Sequence, residues 1–137
     1  WCPNCLDETR YYTDYYNTNK NDNLAFVSLA FEYALTKEKA MAGITRLKEK
    51  IGVPYPILLA QYGSSDKKEA NQKLPMLSNI LSYPTTIFID KMGAVRKIHT
   101  GFNGPATGEK YKAFVASFER FLGELLEEEL PIIDAQK

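Results

Sequence analysis

The sequence predicts an α/β fold with a mixed sheet, made of one parallel and one antiparallel pair of strands. Two short apolar runs, residues 24–31 and 55–60, flank an amphipathic helix pattern over residues 36–50. Strand, helix and strand in this order typically form a parallel pair. Residues 85–89 are β-branched or aromatic throughout, and a turn containing glycine leads to a second strand pattern at residues 95–100. That second pair is expected to be an antiparallel hairpin.

The composition is that of one ordinary domain. The chain has 137 residues, 45% of them hydrophobic, and 17 basic and 17 acidic residues give a formal net charge of zero. This balance provides no electrostatic case for nucleic acid or an anionic membrane as a partner. No apolar run approaches the roughly 20 residues that span a bilayer. We therefore expect a single domain over residues 1–137, without membrane insertion of this segment, and a loosely held tail at residues 131–137.

The first half of the chain reads as helix, strand and helix. A helix is predicted from Pro3 to about Tyr16, followed by a turn rich in asparagine. Residues 24–31 are nearly all apolar, which is typical of a strand covered on both faces. Thr36 is the predicted N-cap of the next helix and Gly52 its end. Apolar side chains are predicted to form one stripe of this helix: Met41, Ile44, Leu47 and Ile51.

The second half adds two short helices, the hairpin and a long helix. A short helix is predicted at residues 67–74, and another begins at Pro75. Gly93 lies in the hairpin turn, where a positive φ is wanted. The longest helix is predicted from Glu109 to about Glu129. One face of it carries these apolar residues: Phe114, Phe118, Phe121 or Leu122, and Leu125.

The chain holds two cysteines, in the motif Trp1-Cys2-Pro3-Asn4-Cys5. Proline at the first helical position sacrifices no hydrogen bond, so Cys2 is predicted at or next to the N-cap. Free N–H groups and a partial positive charge at a helix start favour a thiolate. We therefore expect a lowered pKa for the Cys2 thiol, which makes Cys2 the attacking nucleophile. Cys5, one turn into the helix, is then expected to be the less exposed, resolving partner.

Two other uses of this cysteine pair are open but less favoured. A zinc site needs four ligands, and the other soft candidate in the sequence is His99. A purely structural disulfide would close so small a loop that it stabilises little. Redox chemistry is therefore the preferred interpretation, with no metal and no cofactor expected.

A second motif, YPTTIFIDKMG at residues 83–93, follows in the second half of the chain. Together with WCPNC at residues 1–5 and the order of helices and strands, it resembles the thioredoxin fold. Within that fold the sequence most resembles the TlpA/ResA-like thiol–disulfide oxidoreductases of bacterial envelopes. The resemblance spans nearly the whole chain and implies a mixed central sheet flanked by helices.

The resemblance also implies the composition of the active site. Pro84 is expected to be a cis proline facing the disulfide, whereas an ordinary X-Pro bond would be trans. Tyr83 is expected to offer its backbone to an extended substrate peptide. Trp1 and Pro3 are expected to support the cysteine pair.

Two further residues near these motifs are ionisable. Glu8 stands where related proteins carry a glutamate that tunes the thiols. Helical spacing places it one turn beyond Cys5, so proton transfer is physically possible, and the alternative is a solvated surface glutamate. His99 lies on the returning strand, where a surface or packing role is preferred over catalysis.

The resemblance implies exchange of disulfides with client proteins, most naturally as a reductant that an envelope or membrane electron donor regenerates. The implied location is periplasmic or otherwise extracytoplasmic. The Pro3-Asn4 pair between the cysteines leaves the direction of exchange open. Two alternatives remain. One is a redox-silent binding or scaffold module. The other is a thiol peroxidase, although the Pro-x-x-x-Thr/Ser-x-x-Cys context of peroxiredoxins is absent from the sequence.

In the thioredoxin fold the WCxxC motif follows a buried central strand, and this sequence begins at Trp1. That strand is therefore expected to be absent from this chain, leaving strands 24–31 and 85–90 each without one neighbour. Unpaired buried backbone groups cost about 1–3 kcal/mol each. We expect the working protein to carry an upstream segment with this strand, an export signal and a candidate membrane anchor.

Overall fold

The computed structural model describes residues 2–77 and 82–130 of the chain. Within these ranges no helix is long and apolar enough to cross a membrane. In chain order the elements are α1 (Pro3–Thr18), β1 (Ser28–Phe31), α2 (Lys37–Ile51), β2 (Ile57–Gln61), α3 (Lys67–Gln72), β3 (Thr85–Ile89), β4 (Val95–Thr100), a 3-10 turn (Pro105–Thr107) and α4 (Glu109–Glu127).

The strands form two separate two-stranded ladders. β1 pairs with β2 in parallel and β3 pairs with β4 antiparallel, as the sequence predicts. No ladder joins β1 to β3 within the residues that the structure describes. Within residues 2–77 and 82–130, the expected mixed central sheet is therefore split into two halves. Each two-stranded half has two edges without a ladder partner among the described residues, and the edges on β1 and β3 are those for which the sequence predicts a missing neighbour.

β1 is shorter than its apolar run. The run begins at Leu24, but the first ladder bond is the Ser28 N–H donating to the Pro56 carbonyl at 2.9 Å. On the partner segment Pro54 and Pro56 have no N–H to donate. Residues 24–27 therefore remain outside the ladder, although they are as apolar as the strand that follows.

One face of the parallel ladder is more exposed than the sequence predicts. Leu29 and Leu58 are register partners on that face, with exposures of 42% and 53%. No described element covers them, so the prediction of a strand buried on both faces is wrong for the described part of the chain. An apolar run indicates that a strand tends to be buried, but burial also requires another element to pack on that face.

The caps of α2 lie where the sequence predicts, but its buried face is displaced. Thr36 accepts a backbone N–H at the start of the helix, and Gly52 ends it at φ 76°. The buried side chains are Ala40 and Ile44, whereas Met41 is 40% exposed. The predicted stripe is thus correct at Ile44 and wrong at Met41.

The β3–β4 hairpin packs against α1 and α4 through an aromatic core. Phe88 of β3 and Phe118 of α4 lie 5.7 Å apart, between ring centroids. Tyr11 and Tyr15 of α1 pack edge-on against Phe118 at 5.5 and 5.2 Å. The tyrosines of α1 therefore hold the cysteine-bearing helix in place. The buried members of this core are Phe88, Phe102, Phe114, Phe118, Leu122 and Leu125.

The opposite face of β3 meets a smaller cluster. Ile87 packs against buried Ala70 of α3 and Leu77. Pro75 and Met76, predicted to begin a second short helix, form a turn. The rest of that predicted helix, residues 78–81, and the predicted tail, residues 131–137, lie outside the described residues.

Candidate active site

The two cysteines form a disulfide at the start of α1. Their Cα atoms are 5.2 Å apart. Cys2 is the N-cap residue, with an extended backbone at φ −142°, and Pro3 is the first residue of the helix. The backbone N–H of Cys5 donates to the Cys2 Sγ at 3.2 Å. A free donor of the helix start is therefore directed at the sulfur of Cys2, where it would also stabilise a thiolate.

Exposure does not distinguish the two cysteines. Both are half-buried, while Pro3 and Asn4 between them are exposed. The expectation that Cys5 is the less exposed partner therefore finds no support in burial. What separates the two sulfurs is the helix-start donor on Cys2.

The segment that enters β3 lies beside the disulfide. The Tyr83–Pro84 peptide bond is cis, the isomer that the family resemblance implies. The Tyr83 carbonyl oxygen lies 4.0 Å from the Cys2 Sγ. This is a contact and not a hydrogen bond, since a disulfide sulfur carries no proton. The Pro84 carbonyl accepts the Gly101 N–H at 2.7 Å, which ties this segment to the end of β4.

Tyr83 also connects the two ladders. Its ring lies 5.7 Å from that of Phe31, the last residue of β1, between centroids. The carboxyl end of β1, the amino end of β3 and the start of α1 therefore meet at one edge of the molecule. In open α/β folds this edge, outside the carboxyl ends of parallel strands, is where ligands bind.

Glu8 is buried and not solvated. Its exposure is 8%, and the Thr86 hydroxyl donates to its Oε2 at 3.4 Å. Burial raises the pKa of Glu8 from 4.5 to about 8, and the Thr86 hydrogen bond opposes this shift. Among the ion pairs of residues 2–77 and 82–130, none involves Glu8. A carboxyl that titrates near neutral pH, one turn beyond Cys5, is able to accept or return a proton.

Two residues that the sequence did not assign to the cysteine site complete this region. The hydroxyl of Tyr12 lies 2.6 Å from that of Thr86, which in turn contacts Glu8. Tyr12 follows Glu8 by four residues, one helical turn, and that spacing is a usable signal. Thr86 has no such signal, because its position beside Glu8 depends on how β3 packs against α1.

A close approach fixes α1 against the loop after β4. A Cβ atom built on Gly104 would lie 2.6 Å from Oδ2 of Asp7 and 3.3 Å from its Cγ. Any residue larger than glycine would therefore require the Asp7 side chain to shift at this point. The contact lies two residues beyond Cys5, and nothing in the sequence indicated it.

Two residues discussed from the sequence remain, the predicted site residue Trp1 and His99, for which a packing or surface role is predicted. Trp1 lies outside the described residues. The ring of His99 packs against Phe114 at 5.3 Å between centroids. Burial lowers the pKa of His99, with nearby Lys97 as a second cause. These contacts fit the packing role that the sequence favours.

A paired-cysteine site at the start of α1, beside a cis proline that leads into a β-hairpin, defines a thioredoxin-fold protein. The sequence is similar to the thioredoxin-like protein YneN of Bacillus subtilis (strain 168), with 30% identity over 101 residues. That alignment covers 74% of this chain and 51% of the relative, so the chain spans about half the length of the curated protein that it matches. No family model matches the sequence.

Two solved structures have the same fold. The crystal structure of StoA from Bacillus subtilis superposes with a TM-score of 0.53 at 19% identity, over 82% of this chain and 75% of StoA. The solution structure of a protein assigned as a thioredoxin from Neisseria meningitidis gives a TM-score of 0.50 at 19% identity, over 86% and 68%. At this level of identity the two structures establish the thioredoxin-like fold.

Proposed function

We propose that the protein is a thiol–disulfide oxidoreductase that exchanges disulfides with client proteins through Cys2 and Cys5. One observation carries the proposal: the Cys2 Sγ caps α1, accepts the Cys5 N–H at 3.2 Å and lies 4.0 Å from the Tyr83 carbonyl. The first contact stabilises a thiolate on Cys2, and the second places a backbone acceptor beside it.

The reaction begins from the reduced cysteines. The Cys2 thiolate attacks one sulfur of a client disulfide, so that a Cys2–client bond forms and the other client sulfur leaves as a thiolate. Cys5 then gives up its proton, for which ionised Glu8, buried one turn further along α1, is a candidate acceptor, and attacks the Cys2 Sγ. The Cys2–Cys5 disulfide forms and the second client sulfur leaves. Two electrons have passed to the client, whose two thiolates take up protons.

Tyr83 supplies a place for the client backbone. Its carbonyl, next to the Cys2 sulfur, accepts an N–H from an extended client segment that lies across the disulfide. Such a backbone contact holds the client sulfur in line with Cys2 and does not depend on the client's side chains.

We further propose that exchange runs in the reducing direction in an extracytoplasmic compartment, where an envelope or membrane donor regenerates the dithiol. The resemblance to TlpA/ResA-like proteins supports this part of the proposal. Equilibration with glutathione buffers measures the potential of the pair. A reductant is expected to lie near the thioredoxin value of about −270 mV, and a value near that of DsbA, about −120 mV, would reverse the direction.

The activity itself is tested by insulin reduction and by trapping. Wild-type protein is expected to catalyse the reduction of insulin by dithiothreitol. Cys5→Ser is expected to accumulate a mixed disulfide with the client, because nothing resolves it, and Cys2→Ser is expected to form none. If wild-type protein does not turn over and Cys5→Ser traps no client, the alternative of a redox-silent binding module is favoured instead.

A further inference from the structure

A chain of three polar side chains runs from the aromatic core to the buried carboxyl of Glu8, one turn beyond Cys5. Tyr12 and Glu8 lie one turn apart on α1, and Thr86 of β3 lies between their polar ends. The Tyr12 and Thr86 hydroxyl oxygens are 2.6 Å apart, and Thr86 Oγ1 is 3.4 Å from Glu8 Oε2. Glu8 is 8% exposed and the other two residues are partly buried.

The chemistry of the groups sets the direction of the hydrogen bonds. An ionised carboxylate only accepts, and a threonine hydroxyl has one proton to donate. When Glu8 is ionised, the Thr86 proton is therefore given to Glu8, and Thr86 in turn accepts the proton of Tyr12. Successive hydrogen bonds of this kind strengthen one another. When Glu8 is protonated, the same chain reverses, with Glu8 donating to Thr86 and Thr86 to Tyr12.

We propose that Thr86 and Tyr12 are positioning residues of the paired-cysteine site, whose hydroxyls form a relay that holds the Glu8 carboxyl in place and sets how strongly it retains its proton. Thr86 acts directly on Glu8, and Tyr12 acts through Thr86. The inference rests on the proposed function in one respect, namely that Glu8 serves the thiols of Cys2 and Cys5.

The other ionisable groups around Glu8 do not replace this relay. Tyr55, from the segment before β2, interacts electrostatically with Glu8, and burial raises the pKa of Tyr55 to about 12, so it remains neutral at physiological pH. On β4 the register partner of Thr86 is His99, and burial lowers the pKa of that residue. No cation of the described ranges forms an ion pair with Glu8. The two hydroxyls are thus the polar groups connected to Glu8 by hydrogen bonds.

The test is an NMR titration of the Glu8 side-chain carboxyl in the oxidised 137-residue chain, with the resonance assigned by its loss in Glu8→Gln. Thr86→Val is expected to raise the pKa of Glu8 by about one unit, the size expected when a hydrogen bond to a charged group is lost. Tyr12→Phe is expected to raise it by less. In the Thr86→Val background, Tyr12→Phe is expected to add nothing, because its effect passes through Thr86. Thr86→Ser keeps the hydroxyl and is expected to restore the wild-type titration.

The matched control is Tyr16→Phe. Tyr16 lies on the same helix and packs on Phe26 and Tyr55, but no hydrogen bond to its hydroxyl is present among the described residues. This variant is expected to leave the Glu8 titration unchanged. Thermal melts of all variants in parallel separate a shifted titration from a loss of fold, and Thr86→Ser and Tyr12→Phe keep the comparison usable if Thr86→Val unfolds.

An unchanged Glu8 pKa in folded Thr86→Val, or equal shifts in Tyr12→Phe and Tyr16→Phe, would overturn the inference. Since this titration requires no client, its result is independent of insulin reduction. A shifted titration in a protein without turnover would support the relay and reject the oxidoreductase. Normal turnover with an unshifted titration would support the oxidoreductase and reject the relay.

Discussion

The hydroxyl of Thr86 donates to the carboxyl of Glu8 at 3.4 Å, although 78 residues separate the two in the chain. Glu8 lies three residues after Cys5, and Thr86 lies two residues after Pro84. This hydrogen bond therefore connects the two motifs from which the function is inferred. Because this hydrogen bond lowers the pKa of Glu8, the protonation of this α1 residue depends on where β3 places Thr86.

The first prediction concerns the two thiols. In the reduced protein at neutral pH, Cys2 is expected to react with iodoacetamide faster than Cys5, because the Cys5 N–H and the helix start stabilise the Cys2 thiolate. Peptide mapping after short exposure gives both rates in one sample. Faster labelling of Cys5 would reverse the assignment of nucleophile and resolving residue.

A second prediction concerns the effect of Glu8 on thiol reactivity. Glu8 ionises as the pH passes about 8, which places a negative charge one turn from Cys5. A nearby like charge disfavours a thiolate, so in Glu8→Gln the alkylation profile of Cys5 is expected to move to lower pH by about half a unit or more. Asp14→Asn removes an exposed carboxylate of the same helix and serves as the control. Identical profiles for the two variants would remove Glu8 from the proton chemistry.

Glu8 also predicts how stability depends on pH. Its pKa is about 8 when folded and 4.5 in its ordinary state, so the folded protein holds this proton more tightly. The stability linked to Glu8 is therefore complete below pH 4.5 and is lost as the pH rises through about 8. Glutamine does not titrate, so Glu8→Gln does not lose stability in this way. At pH 8.5 its free energy of unfolding is expected to exceed that of the wild type by at most about 5 kcal/mol, and at pH 4.5 the difference is expected to be much smaller. Urea unfolding at both pH values measures it, and a pH-independent difference would contradict the burial of an ionisable Glu8.

The approach of Gly104 to Asp7 is tested by a double-mutant cycle. Gly104→Ala is expected to lower the free energy of unfolding by about 1–2 kcal/mol, since the added methyl group meets the Asp7 carboxylate. In an Asp7→Ala background the same change is expected to cost much less, because the Cγ and oxygens that it meets are gone. Equal effects in both backgrounds would show that the loop and α1 are not in contact here.

The open edge of β1 predicts a pattern of amide exchange. The N–H of Ser28 donates to the Pro56 carbonyl just before β2, and that of Glu32 to the Gln61 carbonyl, at 2.9 Å each. By alternation, the N–H of Leu29 faces the open edge. In hydrogen exchange followed by NMR, Leu29 is expected to exchange much faster than Ser28 and Glu32. Protection of Leu29 equal to theirs would mean that another strand, from this chain or from a second copy, covers the edge.

The order of helices and strands follows from local chemistry, and the sequence determined it. Pro3 after Cys2 places the start of α1, Thr36 and Gly52 place both ends of α2, and Gly93 places the hairpin turn. These signals lie within a few residues of what they specify, because caps and turns are satisfied by neighbouring backbone groups. The spacing of the two cysteines and the helix start beside them are likewise specified by residues that are neighbours in the chain.

The tertiary structure decided which of these elements meet and what is left uncovered. It buried Glu8, for which the sequence allowed solvent exposure equally well, and supplied Thr86 as its partner from a distant strand. It left Leu29 and Leu58 exposed despite their apolar runs. Burial and hydrogen bonding between distant segments depend on the packing of whole elements, which no local pattern encodes. The sequence therefore identified the cysteines and offered Glu8 as a candidate, whereas only the fold showed that this carboxyl is buried and which hydroxyls accompany it.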